Sequence, residues 1–195
     1  FHMHGSTNYG YILGGGYPVV DTINKWSLAS ATAYATDVGN LVADGGKLGN
    51  AGHSSETYAY SSAGTPAANP YSLAGIDKLS FSSDGNATDA GNITVARRYV
   101  GGTSSSTHGY SAGGYAVAAE NIIDKFSFAD ESSTNDVGDL TAARSGPLTT
   151  MSETYGYQAS AGGGPTQTSI CKWSYASDGN AVAYSGVTST DSNGC

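Results

Sequence analysis

The chain says nearly the same thing four times, and that limits its fold more than its composition does. A tyrosine phrase recurs as Asn8-Tyr9-Gly10-Tyr11, Thr57-Tyr58-Ala59-Tyr60, Thr107-His108-Gly109-Tyr110 and Thr154-Tyr155-Gly156-Tyr157. Its last tyrosines lie 49, 50 and 47 residues apart. Glycine pairs follow at Gly15-Gly16, Gly113-Gly114 and Gly162-Gly163, with Gly64 alone in the second copy. A lysine phrase comes next: Ile23-Asn24-Lys25-Trp26-Ser27-Leu28, Ile76-Asp77-Lys78-Leu79-Ser80-Phe81, Ile123-Asp124-Lys125-Phe126-Ser127-Phe128 and Ile170-Cys171-Lys172-Trp173-Ser174-Tyr175. Apolar and polar residues alternate here with the period of a strand. Ile123 and Lys125 share one face, while Asp124, Phe126 and Phe128 share the other. Such a strand is covered on both sides, with the lysine stem lying over apolar surface.

A third phrase closes the unit as Asp37-Val38-Gly39-Asn40-Leu41, Asp89-Ala90-Gly91-Asn92-Ile93 and Asp136-Val137-Gly138-Asp139-Leu140. The fourth copy is degraded to Tyr184-Ser185-Gly186-Val187. Turn text precedes it, as in Ser83-Asp84-Gly85-Asn86 and Ser177-Asp178-Gly179-Asn180. Asp-Gly and Gly-Asn supply the positive-φ positions of tight hairpins.

A period near 50 residues with several short strands per unit marks a β-propeller blade. One such unit cannot bury both faces of its small sheet, and packing blades around an axis solves this. The expected fold is therefore an all-β propeller of four blades, 47 to 50 residues each, in a single domain spanning 1–195. A β-solenoid or a linear array of small sandwiches is the alternative with the same repeat. The glycine-rich phrase suits the crowded strand nearest the axis, and the aromatics suit the space between blades. Closure is expected through one blade shared by strands from both ends.

Composition narrows the setting. The chain has 8 basic and 16 acidic residues, a formal net charge of -8, and 12% charged residues, with 28 glycines and 14 tyrosines. This suits a rigid protein outside the cell or on a virion. Nucleic-acid binding needs a basic patch, and none is readable. No apolar run approaches the roughly 18 residues of a membrane helix. No signal peptide is visible, and a chain starting at Phe1 reads as a processed product or a fragment.

No catalytic constellation emerges. His2, His4, His53 and His108 have no metal-ligand spacing beyond the terminal pair, and His108 stands where its repeat has tyrosine. Neither a metal nor a cofactor is expected. Asp37, Asp89 and Asp136 recur once per unit, which points to turn capping rather than catalysis. Asn86-Ala87-Thr88 and Asn92-Ile93-Thr94 match the glycosylation pattern but sit in turn text that repeats. Cys171 occupies the strand position held by Asn24, Asp77 and Asp124, and a disulfide clasp to Cys195 is one reading. Two free thiols are the other.

The glycine pair, the downstream aromatic strand and the Ala-Arg ending together resemble kelch repeats. Gly113-Gly114, Phe126 and Arg144 match that pattern in order, while Val137-Gly138-Asp139-Leu140 replaces its final tryptophan. The wording "SSTHGYSAGG", "IDKFSFA" and "DVGDLTAAR" is similar to kelch-like repeats of marine bacteriophage structural proteins. The resemblance implies a virion surface or tail-associated module. A structural role is expected for Gly113, Gly114, Arg97 and Arg144, the arginines bonding backbone carbonyls or repeat aspartates. The first copy shows no such arginine.

Function on a repeat scaffold lives where the frame varies. From phrase tyrosine to phrase lysine the copies span 14, 18, 15 and 15 residues, so this connection is the variable one. It carries Tyr17, Tyr71 and Tyr115, which can stack on sugar rings or pack on a protein. The expected function is a non-enzymatic structural or adhesive propeller, binding a protein or glycan partner at this loop rim, with the 65–75 loop most prominent. A secreted carbohydrate-binding lectin is the alternative.

Overall fold

The computed structural model describes residues 3–6, 8–30, 34–42, 46–68, 71–131, 134–161 and 169–186. It contains four antiparallel four-stranded sheets, each drawn from one contiguous copy of the repeat. The first blade is β1 (Met3–Gly5), β2 (Tyr9–Gly15), β3 (Val20–Ser27) and β4 (Thr36–Asn40). The second is β5 (Ala51–Ser54), β6 (Tyr58–Ser62), β7 (Gly75–Ser80) and β8 (Thr88–Asn92). The third is β9 (Gly101–Ser104), β10 (His108–Ala112), β11 (Glu120–Ser127) and β12 (Thr134–Arg144). The fourth is β13 (Pro147–Met151), β14 (Tyr155–Ala161), β15 (Ser169–Ser174) and β16 (Val182–Gly186). Among the described residues no helix is long and apolar enough to cross a membrane.

Among the described residues the expected closure through a shared blade is not seen, because every sheet keeps the order of the chain. Packing joins consecutive blades instead: β1 with β5, β5 with β9, β9 with β13. Those contacts also make the first strand of each blade the innermost one. The expectation that the glycine-pair phrase lines the axis is thus corrected. The close approach falls at Gly52 and Gly102, where a Cβ on Gly102 would land on the Gly52 carbonyl.

The first hairpin of each blade is tied by a serine. Ser55 N–H donates to Tyr58 O at 2.9 Å, and Tyr58 N–H donates back to Ser55 Oγ at 3.0 Å. Ser6, Ser105 and Ser152 make the same turn. Such hydroxyls satisfy turn amides that no strand partner reaches.

Within the tyrosine phrase, Gly10 pairs with Trp26, Gly109 with Phe126 and Gly156 with Trp173. A Cβ at any of these glycines would enter the facing ring. The second copy has Ala59 there, opposite the smaller Leu79. Size on one strand is matched by size on the next, as cross-strand pairing requires.

The core lies between blades. Tyr11 meets Phe81 at 5.2 Å, Tyr60 stacks on Phe128 at 4.8 Å and Tyr110 stacks on Tyr175 at 4.7 Å between ring centroids. Each pair joins one blade to the next and contributes about 0.5–1.5 kcal/mol beyond the area it buries. Burial pushes the Tyr110 and Tyr175 hydroxyls up to about 12.

The Ser-Asp-Gly-Asn text does not make tight hairpins. The connection between β7 and β8 docks on the preceding blade. Lys25 Nζ lies 2.8 Å from Asp84 Oδ1, Asn40 N–H donates to Asn86 Oδ1 at 3.0 Å, and Ala87 N–H donates to Asn40 O at 2.8 Å. The third and fourth blades repeat this with Lys125, Asp178, Asp139, Asn180 and Ala181. Lys78 and Glu131 supply the ion pair between the second and third. Asp37, Asp89 and Asp136 accept from the N–H groups of Gly39, Gly91 and Gly138, holding the strand edge on which these turns sit.

Candidate functional site

Consecutive blades are stapled by a buried cation that leads into each new blade. Lys47, Arg97 and Arg144 hold this position and are all buried. Their carbonyls accept from the N–H groups of Gly15, Gly64 and Gly114 in the blade behind. Gly14, Ala63 and Gly113, one residue earlier, have φ values of 66°, 63° and 63°. The structural equivalent of Gly113-Gly114 in the first copy is therefore Gly14-Gly15, one residue before the pair the sequence offers.

The cation side chains enter the blade ahead. Arg97 donates to Gly113 O at 2.7 Å and Ser111 O at 3.0 Å, and pairs with Asp124 at 2.7 Å. Asp124 also accepts from Thr94 Oγ1 at 2.6 Å. Lys47 donates to Gly75 O at 2.7 Å and Ser61 O at 3.2 Å, and pairs with Asp77 at 3.2 Å. Burial lowers the Lys47 pKa and raises that of Asp77, because desolvation outweighs their mutual attraction. Arg144 donates to Ser169 O at 3.0 Å and Ser169 Oγ at 2.7 Å. Lys47 escaped the sequence reading because the first copy has no arginine. Its signal was the alignment of Lys47-Leu48-Gly49 with Arg97-Arg98-Tyr99 and Arg144-Ser145-Gly146.

The same alignment exposes the candidate site. Gly49 and Gly146 have φ values of 67°, and Tyr99 stands between them in the repeat with φ 55°. A tyrosine in the left-handed region bears a steric penalty of about 1–2 kcal/mol that glycine avoids. Such strain is retained where something else requires the side chain. Tyr99 lines a 490 Å³ cleft together with Tyr17, Tyr71, Leu48 and Pro66. Tyr17, Tyr71 and Tyr99 are 94%, 71% and 43% exposed. On its other side Tyr99 borders a second cleft, with Leu148 and Thr149.

Two of the three rim tyrosines from the sequence thus share one cleft. Tyr115 does not line it but joins through Arg98. The Arg98 guanidinium lies 4.9 Å from the Tyr115 ring centre and 5.7 Å from that of Tyr99. It donates to Tyr71 O at 3.3 Å and Ser72 Oγ at 3.2 Å, pinning the 65–75 loop. Backbone bonds in both directions between Arg98 and Tyr115 fix the base. Aromatic faces around a cation at a loop rim can stack on a ligand.

The remaining residues of interest are structural. His53 is buried, with Nδ1 at 3.0 Å from Thr103 O and Nε2 at 2.9 Å from Ser62 Oγ. His108 lies 2.8 Å from Thr107 Oγ1, and burial, helped by Lys125, lowers its pKa. In the other three copies the phrase lysine sits over the ring that His108 replaces: Lys25 over Tyr9, Lys78 over Tyr58 and Lys172 over Tyr155. Cys171 is a free buried thiol donating to Gln158 Oε1 at 3.6 Å. Cys195, His2 and the Gly162-Gly163 pair lie outside the described residues. Among the described residues no group of His, Cys, Asp and Glu is placed to hold a metal ion.

With four such blades stacked side by side, the protein is a β-propeller in architecture. The solved structure of YjhT, also a propeller, superimposes with a TM-score of 0.79 at 8% identity. The match covers 96% of this chain and 65% of that one, so the chain spans just under two thirds of its neighbour's length. No family model matches the sequence, and no curated protein does.

Proposed function

We propose that this protein is a non-enzymatic adhesive propeller that binds a protein or glycan partner through the rim of Tyr17, Tyr71, Tyr99 and Tyr115. The observation that carries this reading is Tyr99. The chain keeps a tyrosine in a backbone conformation its other copies give to glycine, and that tyrosine completes an open aromatic cleft. Exposed rings of this kind favour sugar stacking as much as protein packing, so a secreted lectin is the second reading. The setting on a phage virion, at its surface or tail, rests on the wording of the repeats and belongs to the proposal.

The test uses a glycan array and adhesion of labelled protein to bacterial cells. Tyr17→Ala, Tyr71→Ala and Tyr115→Ala are made singly and together. The folded triple variant is expected to lose at least about tenfold in affinity, since a stacking ring contributes on the order of 1 kcal/mol. Unchanged adhesion rejects the rim as the binding face. Tyr99→Gly separates function from folding. It relieves strain and should stay within about 1 kcal/mol of the wild type, yet bind as weakly as the triple variant. Mass spectrometry of purified virions tests the setting.

A further inference from the structure

The third blade carries a histidine where the other three carry a tyrosine. His108 faces Ser127 in the ladder, as Tyr9 faces Ser27, Tyr58 faces Ser80 and Tyr155 faces Ser174. The register therefore brings this ring beside the phrase lysine, its diagonal neighbour on the same face, in every copy. At the three tyrosines the ammonium lies 4.2, 3.9 and 4.5 Å from the ring centre, an attractive contact. Lys125 meets an imidazole instead, and the two side chains line one 180 Å³ cleft. Among the described residues, β11 also brings Ser127 to this cleft, the loop after it Asp130, β12 Asn135 and Val137, and the fourth blade Asp178. On its own strand the neighbouring ring is Tyr110, 6.4 Å away between centres.

The same lysine holds the next blade. Lys125 Nζ lies 2.8 Å from Asp178 Oδ1. Asp178 belongs to the turn in which Asn180 Oδ1 accepts from Asp139 N–H at 3.0 Å and Ala181 N–H donates to Asp139 O at 2.8 Å. A tyrosine ring attracts the ammonium throughout the range in which imidazole gains a positive charge.

We propose that His108 makes the junction of the third and fourth blades a pH-sensitive latch: in mild acid its protonation sets a second cation against Lys125, and the 177–181 turn loosens from β12. Burial, and then Lys125, hold the His108 pKa below its ordinary value, and Asp178 opposes them without reversing the balance. The folded protein thus binds this proton less tightly than the unfolded chain does. The stability held by the neutral ring is full above about pH 6.5 and is lost as pH falls below it. The latch shares no lining residue with the two clefts that Tyr99 borders and does not rest on their function.

Amide exchange is measured by NMR at about pH 7 and about pH 5, with each rate corrected for its intrinsic dependence on pH. The first junction is the internal reference, because Tyr9 stands there and the Asn40 and Ala87 amides make the equivalent bonds. Protection at Asp139 and Ala181 is expected to fall roughly threefold to tenfold in acid, the size of a like-charge contact near the surface, while Asn40 and Ala87 keep theirs. His108→Tyr restores the repeat and should abolish the fall. His108→Gln cannot titrate and should abolish it as well, which separates the gain of charge from the loss of the tyrosine. Unchanged or increased protection at Asp139 and Ala181 in acid overturns the latch. So does a fall of equal size in His108→Tyr, or a His108 ring that titrates at or above the ordinary histidine value.

Discussion

Among single residues, the buried ion pair of Lys47 and Asp77 shows how narrowly charge is tolerated here. Lys47 has its pKa lowered and Asp77 has its raised, both by burial. A depressed lysine favours folding above its ordinary pKa and loses that as pH falls. A raised carboxyl favours folding below its ordinary pKa and loses that as pH rises. At neutral pH both ions are therefore held at a penalty that their pairing offsets only in part. Removing one partner leaves the other exposed to that penalty. Lys47→Met and Asp77→Leu should each lose about 3–5 kcal/mol in denaturant unfolding. The double variant should lose less than either single one, despite the carbonyls of Ser61 and Gly75 losing their donor. A double variant that loses the sum of the two would show that the charges act independently.

Of the structural elements, the turn before the last strand is the most instructive. Gly138 carries no Cβ because the Gly179 carbonyl of the next blade occupies that place, and Gly39 stands in the same relation to Gly85. Gly179 itself has φ 146°, and a Cβ there would meet nothing within 4 Å. Gly179→Ala should thus lose only the backbone term, about 1–2 kcal/mol. Gly138→Ala adds a collision with backbone and should lose about 2–5 kcal/mol. Equal losses in chemical denaturation would mean that the docked turn gives way freely. The sequence made the strands legible because their alternation is local, as in Ile123 to Phe128. It made Tyr17, Tyr71 and Tyr115 legible because they break a repeat. What it did not reveal depends on the neighbouring blade. Asp84-Gly85-Asn86 looks like a hairpin until Asn40 is beside it, and no local pattern says that β5 and β9 meet at Gly52 and Gly102. Tyr99 could have been found, since it alone replaces a glycine in the aligned copies.

Across the whole molecule, the ion pairs run one way along the chain. Lys25 reaches forward to Asp84, Lys78 to Glu131 and Lys125 to Asp178. The staples Lys47 and Arg97 likewise find their acids further on, at Asp77 and Asp124. In each of these pairs the cation precedes its acid. During synthesis, then, each of these cations emerges from the ribosome before its partner does, and trypsin can read that state. In ribosome-stalled chains Lys47 should be cleaved until Asp77 has cleared the exit tunnel, and should resist afterwards. Resistance appearing before Asp77 emerges would break the link. Staples that close in the order in which the residues are joined would let translation set the pace at which the blades lock together.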